Sequence, residues 1–260
     1  MRLDKPHLAQ LPSATIWRRG IDSTAPVGIV IALAVIFAAM RVTGMLGPSN
    51  LRWMLPFGFV LMTLTPWLFL NGDGRRQIGF TSPASLWSYA QGIILGAFAA
   101  IVCFGIGFAL FGTGQDNWFM SFGRNYQQTL DTTGFTATKL HLVFTIPALL
   151  FSPIGEEIFF RGLLQRALEE RVNVRTSTGL ECAAFGIVHL CHHGLFRTAV
   201  GISFLPVSGA IWAVTAFFIG LLFATIRNRS GSLFSAVASH MSFNLTMNII
   251  IFGVLWRYVE

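Results

Sequence analysis

Long apolar runs, separated by short polar connections, make up most of this chain. A membrane-spanning helix needs about 20 mainly apolar residues, and the candidate segments are 27–46, 53–70, 86–112, 140–165, 180–195, 198–226 and 233–256. The 180–195 run is short. The 198–226 run is long and contains Pro206, so it is either one tilted helix or a short re-entrant piece followed by a full span. The pattern predicts an all-α fold, a polytopic transmembrane bundle of seven to eight helices.

Composition agrees with a multi-pass membrane protein and excludes the soluble classes. Hydrophobic residues make up 53% of the chain and charged residues 11%, whereas soluble globular proteins carry about 25% charge. The net charge of +7 does not indicate nucleic-acid binding, because the basic residues lie at the ends of the apolar runs. Membrane orientation and lipid headgroups account for basic residues in that position. The expected surroundings are therefore a lipid bilayer and no nucleic acid.

The chain divides into three parts. Residues 1–26 are basic and lack the apolar core of a signal peptide, which predicts a cytoplasmic tail. Residues 27–138 hold the first transmembrane helices and their loops, and residues 139–257 hold a core with unusual polar residues. With seven spans, the arginine-rich connections all fall on the side of the tail, as the charge rule for cytoplasmic loops expects.

Ionisable residues inside three of the apolar runs are the feature most informative about function. A carboxylate at membrane depth costs roughly a few kcal/mol even on lenient scales, so that such a residue indicates a functional site. At a rise of 1.5 Å per residue, Glu156, His189 and His240 each lie roughly 12–15 Å inside the same boundary of the membrane. We therefore expect three helices to bring an acid and two imidazoles together in a polar intramembrane cavity.

The two adjacent glutamates are expected to have different tasks. Glu157 and Arg161 are four residues apart and share a helix face, which predicts a buried pair that shapes the site. Glu156 is rotated by about 100° from Glu157, and it is then free to activate water as a general base. The alternative for Glu156 is a structural ion pair with another helix.

His240 and Asn244 are also four residues apart, on the last predicted helix. Side by side they are suited to donate hydrogen bonds to a developing oxyanion, or to bind water or a cation. The alternative is ordinary hydrogen bonding between helices, for which membrane proteins commonly use Asn and His.

His189 is expected to orient the water that Glu156 activates. His192 and His193 follow it closely, and we expect them to be near solvent or secondary to the site. Because His189 and His193 are also four apart, a site for a divalent metal such as zinc, formed by His189, His193 and His240, stays an alternative. The chain contains no His-Glu-x-x-His sequence, so a zinc site of that spacing is absent.

Three ordered motifs together resemble the signature of the CAAX-protease and bacteriocin-processing (CPBP, or Abi) family of intramembrane peptidases. They are Glu156-Glu157-x-x-x-Arg161, Phe185-x-x-x-His189 and His240-x-x-x-Asn244, and the likeness covers roughly residues 140–250. The resemblance implies a helical membrane fold, usually of eight helices, with a cavity open to the cytoplasm. It also implies that Glu156 and His189 activate water, that His240 and Asn244 hold the oxyanion, and that Glu157 and Arg161 shape the site. Such enzymes would be glutamic or metal-dependent endopeptidases.

The expected function is that of an intramembrane endopeptidase acting on a peptide or membrane protein, such as a prenylated (CAAX-type) or leader-bearing peptide. The alternative is a non-catalytic scaffold or bacteriocin-immunity-type protein with a structural polar cluster. A proton-coupled transporter is a third hypothesis, but the sequence lacks the two related halves typical of that class. The expected location is the cytoplasmic membrane of a bacterium, with the N terminus and the active-site opening both cytoplasmic.

Overall fold

The computed structural model describes residues 16–18, 25–130, 133–198 and 200–259, so most of the predicted tail lies outside the described residues. Within these ranges the chain is almost entirely helical, as predicted. The exception is a short antiparallel hairpin formed by β1 (Leu195–Thr198) and β2 (Gly201–Phe204). The apolar pattern did not predict this hairpin, which adds a two-stranded sheet to a helical bundle.

The α-helices of the described residues follow one another with short connections. In chain order they are α1 (Pro26–Leu46), α2 (Met54–Phe69), α3 (Gly72–Gln77), α4 (Trp87–Phe111), α5 (Trp118–Thr129), α6 (Ala137–Leu150), α7 (Ser152–Glu156), α8 (Gln165–Leu168), α9 (Val174–Val188), α10 (Pro206–Ser230), α11 (Leu233–Ile250) and α12 (Trp256–Val259). Wider π-helical turns join α7 to α8 (Glu157–Leu164) and α11 to α12 (Ile251–Leu255), and 3-10 turns cover Ser49–Leu51 and His189–Cys191.

Five helical stretches of the described chain are long and apolar enough to cross a membrane: Pro26–Leu46, Trp87–Phe111, Ala137–Leu168, Pro206–Ser230 and Leu233–Val259. The predicted segments 53–70 and 180–195 correspond to the shorter helices α2 and α9. The predicted run 198–226 begins too early, because its first residues form β2. Pro206 is not inside a helix but opens α10, a position where the missing N–H of proline has no partner to lose.

Several contacts bring the arginine-rich connections to one end of the bundle. The antiparallel α1 and α2 place the residues before α1 next to the end of α2, where Trp17 pairs with Leu70. The Trp17 indole donates a hydrogen bond to Glu170, just after α8, at 2.7 Å. Arg227, in the last turn of α10, donates to the carbonyl of Ile78 at 3.1 Å. We call this end of the bundle the tail end.

Small residues allow α4 to lie close along α11. A Cβ at Gly92 would collide with the carbonyl oxygen of Ser235, and one at Gly96 with that of Ser239. Such close approach is how membrane helices gain van der Waals contact where no hydrophobic effect drives association. The packing fixes α11 along its length directly before His240.

The segment from α6 to α8 carries the first motif through the middle of the bundle. It is tied to α11 by a hydrogen bond of 3.0 Å from the Asn248 amide to the Thr145 hydroxyl. Pro153 lies at the start of α7, and Glu156 ends that helix while Glu157 begins the π-helical turns. Such turns are rare and often occur at functional sites.

Candidate active site

Glu156 is fully buried, and only one of its carboxylate oxygens is occupied. Oε1 forms an ion pair with Arg41 of α1 and accepts a hydrogen bond of 2.8 Å from the Ser152 hydroxyl. Oε2 makes no hydrogen bond to the described residues and lies 3.8 Å from Nε2 of His189. The Glu156 carboxylate is thus fixed through Oε1, and Oε2 can accept a further hydrogen bond.

The hydrogen bonding of His189 fixes which of its ring nitrogens is free. Nδ1 lies 2.6 Å from the carbonyl oxygen of Phe185, one turn earlier. Because a carbonyl oxygen only accepts, Nδ1 carries the proton, and in a neutral ring Nε2 is then the acceptor. The acceptor nitrogen of His189 and the free oxygen of Glu156 are thus neighbours.

A second buried cluster surrounds Arg161. Its Nη1 lies 3.2 Å from Oε1 of Glu157, and its Nε lies 3.6 Å from Oε1 of Glu181 on α9. The guanidinium also lies over the Phe185 ring, 4.1 Å from its centroid, and all three charged side chains are fully buried. Glu157 and Arg161 thus form the buried pair expected from their spacing, with a second carboxylate that the sequence analysis did not include.

The two motif residues of α11, His240 and Asn244, make different contacts. Nδ1 of His240 donates to Oε1 of Glu157 at 2.8 Å, and the ring stacks on Phe223 at 4.7 Å between centroids. The Asn244 amide donates to the carbonyl of Ala148 at 3.0 Å. Since an amide nitrogen carries two hydrogens, one N–H of Asn244 is used between helices and the second is available. His240 and Asn244 both line the cavity described next.

A cavity of about 450 Å³ lies beside these residues. Its wall is mainly apolar, unlike the polar cavity predicted from the sequence. The polar lining residues include Arg41, Ser152, His189, His240 and Asn244. Glu156 is not part of the wall and lies behind His189. A peptide in the cavity therefore meets the imidazole of His189 before the carboxylate of Glu156.

The cavity lies at the end of the bundle opposite the tail end. Its wall includes Met45 at the end of α1, Leu55 at the start of α2 and Thr129 at the end of α5. Trp17, which precedes α1 in the chain, pairs instead with Leu70 at the far end of α2. Residues 16–18 and this part of the cavity wall thus lie at opposite ends of α2, and the expectation that the N terminus and the active-site opening are both cytoplasmic stays a prediction.

Sequence reasoning missed Arg41 and Glu181. Both are ionisable residues within apolar runs, which is the signal that identified Glu156. Arg41 is the charged residue of the first apolar run, 27–46, and Glu181 lies near the start of the 180–195 run. Their roles depend on neighbours that are distant in the sequence, because Arg41 pairs with Glu156 and Glu181 lies beside Arg161.

The three histidines of the metal alternative do not converge. Nδ1 of His193 is bonded to the Ser121 hydroxyl at 2.8 Å, while Nδ1 of His240 is bonded to Glu157. Within the described residues, no group of three or more His, Cys, Asp or Glu side chains is placed to hold a metal ion. His193 is also buried rather than near solvent. The side chains as placed therefore do not fit the predicted metal site.

Comparison with known proteins supports the family resemblance. Residues 138–246 match the family described as type II CAAX prenyl endopeptidase Rce1-like. The matched segment is less than half of the chain, but it contains all three motifs, from Glu156 to Asn244. The resemblance predicted from the motifs is confirmed over this segment. Comparisons with curated proteins and with solved structures found no match.

Proposed function

We propose that this protein is an intramembrane endopeptidase in which Glu156 and His189 activate the attacking water. The observation that carries the proposal is the distance of 3.8 Å between Oε2 of Glu156 and Nε2 of His189, since this oxygen makes no hydrogen bond to any residue that the structure describes. Two proton acceptors this close are suited to bind one water and take up its proton. The match of residues 138–246 to a peptidase family supports the same reading.

In this mechanism each side chain has a role that follows from its contacts. Arg41 and Ser152 hold Oε1 of Glu156 and so aim Oε2 at His189. His189, on the cavity wall, accepts the proton from water and returns it to the leaving amine, as a general base and then a general acid. Because Nδ1 is fixed by the Phe185 carbonyl, the ring keeps its orientation through both steps.

His240 and Asn244 are the residues proposed to stabilise the oxyanion of the tetrahedral intermediate. Because Nδ1 of His240 already donates to Glu157, His240 donates to the oxyanion from Nε2 only when both of its ring nitrogens carry hydrogens. Both residues line the cavity, and Asn244 has a second N–H available after its bond to Ala148. Donors fixed before the reaction stabilise developing charge without reorganisation. Glu157 holds Nδ1 of His240, and Arg161 holds Glu157, so that the Arg161 cluster positions the donor.

The mainly apolar wall indicates a substrate with apolar side chains or a lipid group near the scissile bond. Phe59, Phe151 and Trp212 contribute to a wall of this kind. The matched family is described as a type II CAAX prenyl endopeptidase, and a prenylated peptide is the substrate class that we propose to test first. We further propose seven membrane crossings, α1, α2, α4, α6 to α8, α9, α10 and α11, with the arginine-rich tail end cytoplasmic.

The experiment measures cleavage of a panel of fluorogenic prenylated and unprenylated peptides by the detergent-purified protein. The wild type, Glu156→Ala and Glu170→Ala are compared, each with and without a chelator. Glu170 lies outside the cavity, where it accepts a hydrogen bond from Trp17. We expect cleavage by the wild type and by Glu170→Ala, and its loss in Glu156→Ala. Normal turnover by Glu156→Ala would contradict the proposal. Loss of wild-type cleavage on addition of the chelator would indicate instead that the histidines bind a metal ion.

One observation favours a second candidate function. Glu156 is fully buried and paired with Arg41, which is what a structural ion pair in a non-catalytic membrane scaffold would require. In a scaffold, Glu156→Gln at unchanged protein level would preserve the cellular phenotype. In a peptidase the same variant would abolish it, so one substitution separates the two candidates.

A further inference from the structure

A second cavity, of about 260 Å³, adjoins the one at the candidate active site. Its polar lining comes from α5, from the turn after α9 and from β1, and includes Ser121, Arg124, Gln128, His192, His193 and Arg197. Three residues line both cavities: Met45, Asn125 and His192. We call this second cavity the annex. Its polar wall differs from the mainly apolar wall of its neighbour.

The annex contains positive charge without a matching negative charge in its wall. Arg124 donates from Nη2 to the carbonyl of Gln115 and to the Ser121 hydroxyl, and Arg197 donates from Nη1 to the carbonyl of Leu46. These are neutral acceptors, and no carboxylate of the described residues lines the cavity. The carboxylate of Asp116 lies near His193 but outside the wall, where it accepts a hydrogen bond from the Ser208 hydroxyl. Among the ion pairs of the described chain, neither arginine takes part.

Two histidines add hydrogen-bonding atoms that have no partner among the described residues. They are Nε2 of His193, whose side chain is 99% buried, and both ring nitrogens of His192. Burial lowers the pKa of His193 to about 4, so that its ring is neutral at pH 7. The charge of the annex therefore comes from Arg124 and Arg197.

His192 connects the annex to the proposed chemistry. Its ring centroid is 5.4 Å from that of His189, and it stacks on Phe122 at 5.2 Å. One extended residue spans about 3.3–3.6 Å. A peptide bound across His189 therefore reaches past His192 into the annex within a few residues of the scissile bond.

We propose that the annex is a carboxylate-binding subsite for one flank of the substrate, an assignment that rests on the proposed peptidase function. A guanidinium presents several donors in a fork that matches the two oxygens of a carboxylate. Arg124 and Arg197 supply the charge, and the free nitrogens of His192 and His193 supply further partners. The carboxylate is either the C terminus of the peptide or an acidic side chain on the same flank.

The first test needs no variant of the protein. One fluorogenic peptide is prepared with a C-terminal carboxylate, with a C-terminal amide, and as the amide with Asp or Asn in the last position. We expect the wild type to cleave the acid about ten- to hundredfold more efficiently than the amide, the range of a hydrogen bond to a charged group. The difference should lie in KM rather than kcat, because a remote contact binds ground state and transition state alike. Rescue of the amide by Asp but not Asn identifies an acidic side chain as an accepted source.

The second test locates the preference in the annex. Arg124→Gln and Arg197→Gln should each reduce the preference for the acid and leave cleavage of the amide unchanged, whereas Arg124→Lys and Arg197→Lys should partly restore it. Arg257→Gln is the matched control, because Arg257 is an exposed arginine on α12, outside both cavities.

Each outcome bears on one of the two proposals. Equal cleavage of acid, amide and Asp-bearing peptides, lost in Glu156→Ala, would overturn the annex subsite and leave the peptidase function intact. An acid preference that both arginine variants retain would also overturn it. Cleavage that does not depend on Glu156 would contradict the proposed function itself.

Discussion

Glu156 and Glu157 are adjacent and equally buried, yet they belong to two clusters of different character. The Glu156 cluster consists of Arg41, Ser152, Glu156 and His189. It leaves one carboxylate oxygen without a hydrogen bond, 3.8 Å from an acceptor nitrogen on the cavity wall. The Arg161 cluster consists of Glu157, Arg161, Glu181 and His240. There one guanidinium lies between two carboxylates, and Glu157 also holds an imidazole.

The difference between the clusters shows that buried charge alone does not locate the chemistry. Paired charges in a low-dielectric interior are stable only as a set, because removal of one leaves the others uncompensated. We therefore expect the Arg161 cluster to stabilise the fold. The cluster with a free acceptor oxygen next to a cavity is the one in which we propose that the chemistry takes place. Substitutions in the Glu156 cluster should therefore act mainly on activity. In the Arg161 cluster, substitutions of Arg161 and Glu181 should act mainly on stability, whereas His240 also has a proposed role at the oxyanion.

The largest effect is expected for a pair of matched substitutions, Glu156→Gln and Glu181→Gln. Glu156→Gln removes a proton acceptor and should lower kcat by about 10²- to 10⁴-fold, the usual contribution of a general base. Glu181→Gln keeps the shape of a side chain outside the cavity wall and should keep kcat within about tenfold. Single-turnover cleavage by the two purified variants checks this.

The same two variants also provide the control for folding. Thermal unfolding in detergent should show both variants inserted and folded, so that lost activity is assigned to chemistry. A larger fall in kcat for Glu181→Gln than for Glu156→Gln would reverse the assignment of the two clusters.

A slightly smaller effect, now on stability, is expected for Arg161→Met. The variant leaves Glu157 and Glu181 without their shared cation, and it removes the guanidinium from the Phe185 ring. Breaking a buried pair by removing one partner costs about 3–5 kcal/mol in the free energy of unfolding. Denaturant titration in mixed micelles measures it. Arg257→Met, at an exposed arginine, is the control and should change stability by no more than about 0.5 kcal/mol; a similar loss in both variants would refute a stabilising role for Arg161.

The motif residues were predictable from the sequence because the two signals involved are local. Spacing of four puts Glu157 with Arg161 on one helix face, and polarity within apolar runs identified Glu156, His189 and His240. The structure places Glu156 next to His189, and Glu157 next to His240. Their catalytic roles stay predictions.

What the sequence did not predict depends on long-range packing. The annex draws on α5, the turn after α9 and β1, which lie far apart in the chain. The β1–β2 hairpin was not predicted, because a short apolar strand and an apolar helix segment have similar hydropathy. The position of the cavity depends on which helices the packing brings together around it, and no local sequence pattern reports that.

An intermediate effect is expected for substitutions of Arg41, because its ion pair with Glu156 is compatible both with a catalytic and with a structural role of that glutamate. Arg41→Met removes the ion pair that holds Oε1, and a carboxylate displaced by about 1 Å loses about 10² in rate. Arg41→Lys keeps the charge but not the fork geometry and should retain more activity than Arg41→Met. The loss should appear in kcat with KM unchanged. Equal, full activity in both variants would show that Arg41 does not position Glu156.

The smallest effect is expected where α4 packs on α11, which supports His240 without contacting substrate. Gly96→Ala places a methyl group against the carbonyl of Ser239, and overpacking of this kind typically costs about 1–3 kcal/mol. Gly105→Ala, on the same helix with open space around it, is the matched control and should be neutral or stabilising by up to roughly 1 kcal/mol. Because Ser239 precedes His240, a shift of α11 should also lower kcat of Gly96→Ala modestly. If Gly96→Ala loses stability while kcat stays at the wild-type value, the His240 position depends on Glu157 rather than on the helix beneath it.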